Sequence, residues 1–375
     1  MLNERIKPVV MPKWGLSMAE GKITGWLMRP GSPVKPGDEL LEMETDKITN
    51  VVEAGDTGVL RRVLGEAGTV HPVKALIAVL ADPDVPDAEI DAFVAGYARP
   101  AAGDADGGAG DAPRDLFADT PAGRLRYARR GDGGPVVVLV HGFGGDLDNW
   151  LFTIDALAGA ATVYALDLPG HGQSTKEVAD PTLPGLARAV LGFMDAVGIQ
   201  AAHLVGHSLG GAVAMRTALD APQRVESLAL ICPAGLGPEI NHAYITGFVN
   251  AASRRDLKPV LEHLFADAGL VSRAMVDDLL KYKRLDGVDA ALRALSAALF
   301  ADGAQGAVLA GEVAAAGPPT LVVWGEGDRV IPAAHAGALG SAARVAVIPG
   351  AGHMVQMEAA GRVNALLNEH IGGRA

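Results

Sequence analysis

Short apolar runs alternate with glycine and proline through the first eighty residues of the chain. Runs at residues 9–11, 26–28, 40–43 and 75–80 are each a few residues long and are bounded by turn-forming residues. Many short strands with turn signals between them are typical of a small β-sandwich or barrel. The pattern predicts an all-β domain at residues 1–81.

An internal repeat divides this β domain into two similar halves. The string Val-x-Pro-x-x-x-Leu, followed by Leu or Ile, occurs at residues 34–41 and again at 70–77. A Gly-x-Leu element precedes each copy, at residues 25–27 and 58–60. Two similar halves predict a pseudo-twofold domain, in which the segment between the copies, residues 42–50, forms an exposed hairpin.

The composition changes after the β domain. Residues 87–97 are compatible with a short amphipathic helix, whereas residues 99–114 contain no aliphatic side chain larger than alanine. A segment of Ala, Gly, Asp and Pro cannot bury a core. We therefore predict a flexible linker at residues 82–115.

Longer apolar runs, separated by helix-like segments, occupy the rest of the chain. They are continuous rather than alternating, as in parallel strands that are covered on both faces. This pattern predicts an α/β fold with a mostly parallel sheet over residues 116–375. Residues 238–317 carry no strand signal and are predicted to be an inserted helical cap. The apolar runs are residues 136–140, 163–167, 202–206, 228–232, 320–324 and 344–348.

Charge and cysteine content narrow the classes of function. A net charge of −12 over 375 residues argues against nucleic acid as the main partner. The single cysteine, Cys232, excludes an intramolecular disulfide and suits a reducing compartment. No apolar stretch reaches the length of a membrane span, and the first residues lack the apolar core of a signal peptide. We therefore expect a cytoplasmic protein without a membrane partner.

Three polar residues in the second domain predict a nucleophilic site. Residues 206–210 read Gly-His-Ser-Leu-Gly, and this string follows a predicted strand and opens a helix-like run. That context is required for a nucleophile elbow, with Ser208 as the nucleophile. A serine hydroxyl needs a base and an orienting acid. His353 and Asp328 each follow a later predicted strand, in the chain order Ser, Asp, His.

An oxyanion formed during such a reaction needs backbone N–H donors. Residues 141–145 read His-Gly-Phe-Gly-Gly and follow the first long strand of the second domain. We assign the oxyanion hole to the amides of Phe143 and Leu209. No metal site is predicted.

Residues 116–375 resemble the α/β-hydrolase superfamily over their whole length. The matching motifs are HGFGG, DLPGHGQS, GHSLGG, GEGDRVIP and GAGHMVQME. The superfamily includes esterases, thioesterases, C–C hydrolases, dehalogenases and acyltransferases. Serine rather than aspartate at position 208 argues against the dehalogenase and epoxide hydrolase branches.

Residues 8–80 resemble the lipoyl/biotinyl domain, which implies a flattened β-barrel. The string Glu-Thr-Asp-Lys-Ile at residues 44–48 is the lipoyl version, whereas the biotinyl version has Met-Lys-Met at the tip. The resemblance implies that a lipoate ligase attaches lipoate to Lys47. The acylated lysine then becomes a long arm that delivers a group between sites at high effective concentration.

A lipoyl domain joined to an α/β-hydrolase domain resembles the acyltransferase (E2-type) subunits of acetoin dehydrogenase complexes. The resemblance implies transfer of an acetyl group from the lipoyl arm to coenzyme A. It also implies a thiamin diphosphate-dependent E1 and a flavin-dependent dihydrolipoyl dehydrogenase as partners. We also expect a homo-oligomer, although cage assembly does not follow from the resemblance. The chain departs from ordinary acyltransferase subunits, because it has no His-x-x-x-Asp-Gly motif and no recognisable subunit-binding domain.

Two other interpretations remain open at this point. Water instead of coenzyme A as the acceptor would make the chain a carrier-tethered serine hydrolase, a thioesterase or esterase. A lipoyl shuttle with a non-catalytic hydrolase-fold scaffold is the other, and an intact triad counts against it. The sequence does not separate transferase from hydrolase.

Overall fold

The structure is a computed structural model in which the chain divides into two compact units, Met1–Pro113 and Arg114–Ala375. We refer to them as the carrier unit and the hydrolase-fold unit. The residues that the structure describes are 5–12, 20–45, 49–97, 116–300 and 303–373.

The carrier unit contains two four-stranded antiparallel sheets within its described residues. The strand order is β1-β8-β6-β3 in one sheet and β5-β4-β2-β7 in the other. The strands are β1 (Ile6–Val10), β2 (Glu20–Trp26), β3 (Pro33–Val34), β4 (Glu39–Glu44), β5 (Thr49–Glu53), β6 (Gly58–Val63), β7 (Val70–Pro72) and β8 (Leu76–Ala81).

The sequence repeat explains this arrangement, because the two sheets have the same order when β1 to β4 are exchanged with β5 to β8. Each half contributes two strands to each sheet, and the short strands pair with the opposite half, since β3 pairs with β6 and β7 pairs with β2. The adjacent apolar residues of each repeat copy point into different core clusters. Leu41 and Ile77 share one cluster, and Leu40 lies in the other. Two halves that complete each other's sheets confirm the predicted pseudo-twofold domain.

Strands β4 and β5 form an antiparallel hairpin between the two halves. The register runs from Glu39 opposite Glu53 to Glu44 opposite Thr49. On β4, Leu41 and Met43 are fully buried, so the hairpin is anchored in the core close to its end. Lys47 lies in the connection between the two strands but outside the described residues.

The folded part of the carrier unit extends beyond residue 81, where the sequence places the start of a linker. Helix α1 (Asp87–Gly96) buries Ile90 completely in a cluster with residues of β1 and β8. Arg61 and Arg62 on β6 form ion pairs with Asp87 on the helix. A short helix alone is marginal in water, and this apolar contact is what fixes it to the barrel. The rest of the predicted linker, residues 98–115, lies outside the described residues.

The hydrolase-fold unit is built on an eight-stranded sheet with the order β16-β15-β14-β13-β11-β12-β10-β9. The six strands from β16 to β12 are parallel, as the sequence predicts, whereas β10 and β9 are antiparallel to their neighbours. The strands are β9 (Leu116–Thr120), β10 (Gly123–Arg130), β11 (Val136–Val140), β12 (Thr162–Leu166), β13 (Ala202–His207), β14 (Val225–Ile231), β15 (Thr320–Gly325) and β16 (Ala343–Ile348).

Helices cover the sheet, and several of them connect β14 to β15, which are neighbours in the sheet. Five of them, α5 to α9, follow β14 in the region where the sequence predicts a cap, and we call these helices and their connections the cap. None of the helices in the described ranges combines the length and the apolar character that a bilayer crossing demands. The helices of this unit are α2 (Ile154–Ala158), α3 (Leu183–Ala196), α4 (Leu209–Asp220), α5 (His242–Asn250), α6 (Arg254–Leu261), α7 (Arg273–Lys283), α8 (Val288–Leu299), α9 (Ala310–Ala316), α10 (Val355–Glu358) and α11 (Ala360–Gly372).

We expect Ile90→Ala to destabilise the carrier unit by about 2–4 kcal/mol, because it leaves a cavity between α1 and the barrel. Ile90→Val should have an effect of about 1 kcal/mol. Hydrogen exchange of residues 76–97 in the full chain, followed as a function of urea, measures both changes. Exchange that is the same in all three proteins would show that α1 is not part of the carrier core.

Candidate active site

Ser208 occupies a sharp turn between β13 and α4. Its backbone angles, φ 53° and ψ −119°, lie in a region that non-glycine residues rarely adopt. The turn requires close packing, because a Cβ on Gly210 would overlap the carbonyl oxygen of Val140 at the end of β11. The first turn of α4 therefore lies directly against the sheet edge. This geometry is typical of a nucleophile elbow, and Ser208 is only 9% exposed.

His353 and Asp328 form a buried hydrogen-bonded pair. His353 Nδ1 lies 2.7 Å from Asp328 Oδ2 and donates its proton to the carboxylate. The donation places the proton on Nδ1 and leaves the lone pair of Nε2 free to accept a proton. His353 is 2% exposed, and the Asp328 side chain is fully buried. The two residues that the sequence assigns to the base and the orienting acid are thus in contact.

The Asp328 carboxylate is stabilised as an anion in spite of its burial. Burial raises the pKa of Asp328. The opposing effect is larger, because the charge of His353, its hydrogen bond and the hydrogen bonds of two backbone amides all lower this pKa, and it falls below the ordinary value. The two amides belong to Val330 and Ile331, which donate to Oδ1 at 2.8 and 2.9 Å. Trp324 Nε1 donates to Oδ2 at 3.0 Å. A carboxylate with four donors is held rigidly in its ionised form.

The two amides assigned to the oxyanion hole are free to bind a ligand. Neither the N–H of Phe143 nor that of Leu209 makes a hydrogen bond to any residue that the structure describes. Leu209 is the first residue of α4, where N–H groups have no partner within the helix and the helix dipole favours negative charge. Both side chains are buried.

His141 orients the Phe143 amide. Its Nε2 accepts a hydrogen bond from Leu168 N at 3.0 Å, so Nδ1 carries the proton and donates to the Gly142 carbonyl at 2.7 Å. Gly145 N donates to the same carbonyl at 3.1 Å. In a trans peptide the C=O and the next N–H point in opposite directions. Fixing the Gly142 carbonyl therefore turns the Phe143 N–H the other way. This role was not predicted from the sequence, although His141 opens the glycine-rich motif.

His207, which precedes Ser208 in the elbow, binds the loop that contains His353. Its Nε2 donates to the His353 carbonyl oxygen at 3.0 Å, and the two rings lie 4.8 Å apart. Burial and the nearby His353 lower the pKa of His207 to about 3, so its ring stays neutral. It therefore braces the base without competing with it for a proton.

His171 fits a loop-structuring role rather than that of a second base. Its Nδ1 donates to the Pro169 carbonyl at 3.1 Å, and its ring packs against His141 at 4.9 Å. Burial, with smaller contributions from His141 and Lys176, lowers the pKa of His171 to about 3. A base this weak is not suited to accept a proton at neutral pH.

Cys232 lies behind the triad and is fully buried. Its Sγ and side-chain atoms of Asp328 and His353 lie within 4.8 Å of one another. Burial raises the pKa of the thiol well above its usual range, and Asp328 and His353 already bond each other. This set is therefore the back of the triad rather than a set of metal ligands, which would need a thiolate.

The described residues contain no hydrogen bond between the side chains of Ser208 and His353. Contacts between nucleophile and base are often loose without substrate and tighten when it binds. The structure thus brings together the acid and the base, and it places the elbow and two free amides beside the same sheet edge. Lys47 lies outside the described residues, so its attachment role stays a prediction.

Comparison with protein families agrees with these two units. A family described as the alpha/beta hydrolase fold matches residues 135–360, and one described as biotin-requiring enzymes matches residues 7–80. A meta-cleavage product hydrolase from Pseudomonas fluorescens IP01 superposes with a TM-score of 0.64 at 24% identity, covering 69% of this chain and 98% of that one. The chain thus joins a lipoyl/biotinyl carrier domain to an α/β-hydrolase fold, as predicted.

Two relatives match almost the entire chain. The dihydrolipoyllysine-residue acetyltransferase component of the acetoin cleaving system of Cupriavidus necator is 56% identical over 99% of both chains. The component of the same name from Pseudomonas putida is 49% identical over 98% of this chain and 100% of its own. The chain belongs to this family of acetyltransferase components of acetoin cleaving systems, which confirms the resemblance found in the sequence.

The backbone strain at Ser208 predicts that glycine at this position is more stable than a residue with a Cβ atom. We expect Ser208→Gly to be more stable than Ser208→Ala by about 1 kcal/mol, because only glycine adopts these angles without strain. Urea unfolding of the two variants measures the difference. Equal stabilities, or a more stable alanine variant, would show that the turn is not strained.

The lowered pKa of Asp328 predicts how stability changes in acid. Its carboxylate contributes stability that is present above about pH 4, the ordinary aspartate pKa, and is lost as the pH falls below it. The stability of wild type relative to Asp328→Asn should therefore decrease between pH 5 and pH 3, because a protonated aspartate and an asparagine are both neutral. Urea unfolding across this range measures the difference, which a constant gap would contradict.

Proposed function

We propose that this chain transfers an acetyl group from a lipoyl arm on Lys47 to coenzyme A through an acetyl ester of Ser208. The observation that carries the proposal is the buried Asp328–His353 pair, which lies with an elbow serine and two free amides in a chain that also contains a carrier hairpin. The family name, dihydrolipoyllysine-residue acetyltransferase component, supports the same reaction.

Lys47 suits covalent attachment of lipoate. It belongs to the short connection after Glu44, which is paired with Thr49 across an antiparallel hairpin. The buried side chains of Leu41 and Met43 hold this hairpin on the barrel. Lipoate attached there by a ligase supplies a dithiol that carries the acetyl group as a thioester. The acetyl thioester is the substrate of the hydrolase-fold unit.

In the first half of the reaction, His353 Nε2 accepts the proton of Ser208 as its Oγ attacks the carbonyl carbon of the acetyl thioester. The amides of Phe143 and Leu209 bind the oxyanion, and Asp328 stabilises the imidazolium. The carbon–sulfur bond breaks, and His353 returns the proton to the leaving thiol. The products of this half are a free dihydrolipoyl thiol and acetyl-Ser208.

In the second half, coenzyme A replaces the first thiol. His353 accepts the proton of the coenzyme A thiol, whose sulfur attacks the carbonyl carbon of acetyl-Ser208. The same two amides bind the second oxyanion. The ester bond to Oγ breaks, Ser208 recovers its proton from His353, and acetyl-coenzyme A leaves. No atom changes its oxidation state in either half, so the transfer requires no additional redox partner.

The site is buried, as transfer to coenzyme A requires. Ser208 and His353 are 9% and 2% exposed, and an acetyl ester survives long enough to meet a thiol only where water is kept away. If water enters, the same residues make a carrier-tethered hydrolase. The scaffold interpretation leaves the ionised Asp328 and its bond to His353 unexplained.

The other reactions of an acetoin cleaving system require partner subunits. We propose that a thiamin diphosphate-dependent enzyme cleaves acetoin and loads the arm, and that a flavin-dependent dihydrolipoyl dehydrogenase reoxidises the dithiol after transfer. This chain contributes the step between them. The homo-oligomer and the cytoplasmic location remain predictions from the sequence.

The decisive experiment uses full-length lipoylated protein whose arm has been acetylated chemically. Acetyl-coenzyme A and free acetate are followed by mass spectrometry with and without coenzyme A. We expect acetyl-coenzyme A from wild type and a loss of roughly 10³-fold or more in Ser208→Ala, because removing the nucleophile disables the triad as a unit. Ser341→Ala, at an exposed serine, is the matched control. Lys47→Arg should prevent loading of the arm.

Two results would overturn the proposal. Acetate released at the same rate whether or not coenzyme A is present would identify a carrier-tethered hydrolase. Acetyl-coenzyme A formed equally well by Ser208→Ala would leave the hydrolase-fold unit as a scaffold.

A further inference from the structure

Glu358 is a partly buried acid that the proposed reaction does not use. It ends α10, five residues after His353, and its carboxylate accepts hydrogen bonds from two different parts of the unit. Gly352 N, next to His353, donates to Oε2 at 2.7 Å. Ala266 N, in the cap, donates to Oε1 at 2.7 Å. Glu358 thus bridges the loop of the base and residues 262–267, which we call the cap segment.

Further contacts tie the cap segment to the loops of the triad. Met354 N, which follows His353, donates to the Leu264 carbonyl at 2.9 Å. From the loop of the acid, the Arg329 guanidinium donates to the carbonyls of Glu262 and Phe265. Both triad loops therefore bind the same segment.

The cap segment packs directly on the backbone before His353. A Cβ on Gly352 would lie 2.6 Å from Ala266 N and 2.8 Å from the Phe265 carbonyl carbon. Any side chain at position 352 would therefore push the segment away. Phe265 itself is almost completely buried.

The cap also contacts the oxyanion loop, on the other side of the site. Phe248 on α5 and Phe300 after α8 pack edge-on against Phe143, with ring centroids 6.0 and 5.7 Å away. The cap therefore contacts the oxyanion donor directly and, through the cap segment, also contacts the loop of the base.

We propose that Glu358 is a positioning residue that holds the cap segment on the loop of His353, and thereby keeps water from acetyl-Ser208 while a thiol acceptor enters. The inference rests on the proposed function and deepens it, since it names the contact that favours transfer over hydrolysis. Glu358 acts through the two backbone amides that it binds and touches no reacting atom.

A carboxylate is suited to this role because each oxygen can accept from a separate N–H group. Burial raises the pKa of Glu358, and the hydrogen bonds from the backbone amides of Gly352 and Ala266 lower it in part. Glutamine has one acceptor oxygen and an NH2 group that would face an N–H donor. Glu358→Gln therefore keeps the shape of the side chain and loses at least one of the two attachments.

The test separates water access from the strength of the base. Full-length protein is treated with p-nitrophenyl acetate without coenzyme A, and the burst of p-nitrophenol gives the rate of Ser208 acetylation. The steady rate that follows gives deacetylation by water. Both steps use His353, so a displaced base slows both, whereas added water access raises the ratio of deacetylation to acetylation. We expect Glu358→Gln to raise this ratio about tenfold, the effect of losing one hydrogen bond to a charged group.

Two further variants make the result specific. Arg329→Gln loosens the same segment from the loop of Asp328 and should raise the ratio in the same direction. Glu369→Gln, at an exposed glutamate that pairs with Arg344 on the surface, should leave it unchanged. Hydrogen exchange should increase in residues 262–267 and 350–354 together in Glu358→Gln.

The outcomes distinguish this inference from the proposed function. A wild-type burst that does not depend on Ser208 would overturn both. A Ser208-dependent burst with an unchanged ratio in Glu358→Gln would overturn the inference alone. It would show that Glu358 supports the structure of the site without controlling the access of water.

Discussion

The site depends on a negative charge buried at the carboxyl edge of the sheet. An unpaired carboxylate in such a place would be strongly destabilising or would become protonated. Asp328 remains ionised because both carboxylate oxygens accept hydrogen bonds. Oδ1 accepts from the amides of Val330 and Ile331, and Oδ2 accepts from the side chains of Trp324 and His353. The loop after β15 and the loop after β16 must therefore meet at this carboxylate. The position and the tautomer of His353 follow from that constraint.

Two neutral histidines fix the backbone around this pair by hydrogen bonds. His141 fixes the Gly142 carbonyl, and His207 binds the carbonyl of His353. Burial lowers the pKa of both side chains, so each acts as a neutral hydrogen-bond donor with a defined tautomer. A charge on either ring would be poorly solvated. The elbow, the oxyanion loop and the base are thereby held in one arrangement without a second titrating group near the nucleophile.

Features that depend on the order of strands along the chain can be predicted from the sequence. Parallel strands end at the same sheet edge, so a serine, an acid and a base that follow successive strands can be assigned from their positions alone. Strands β9 and β10 were not predicted, because Arg124, Arg126 and their neighbours interrupt the apolar pattern on a strand near the sheet edge. The packing of α1 was also missed, since one buried isoleucine decides it. The contact of Glu358 with the cap was not predictable, because it joins residues 92 positions apart.

A transferase and a hydrolase built on this site would differ in whether coenzyme A or water reaches the acetyl ester, and not in the residues that they use. Both would use Ser208, His353 and the same two amides, and only the nucleophile of the second half differs. In the proposed reaction, attachment of the acetyl donor to the carrier hairpin would raise its effective concentration at Ser208 but would not exclude water. Exclusion of water would then depend on the cap, which packs on Phe143 and on the loop of His353. A hydrolase fold can thus serve transfer if its cap stays closed to water during the life of the acetyl ester, and the attachment through Glu358 lies where that closure meets the base.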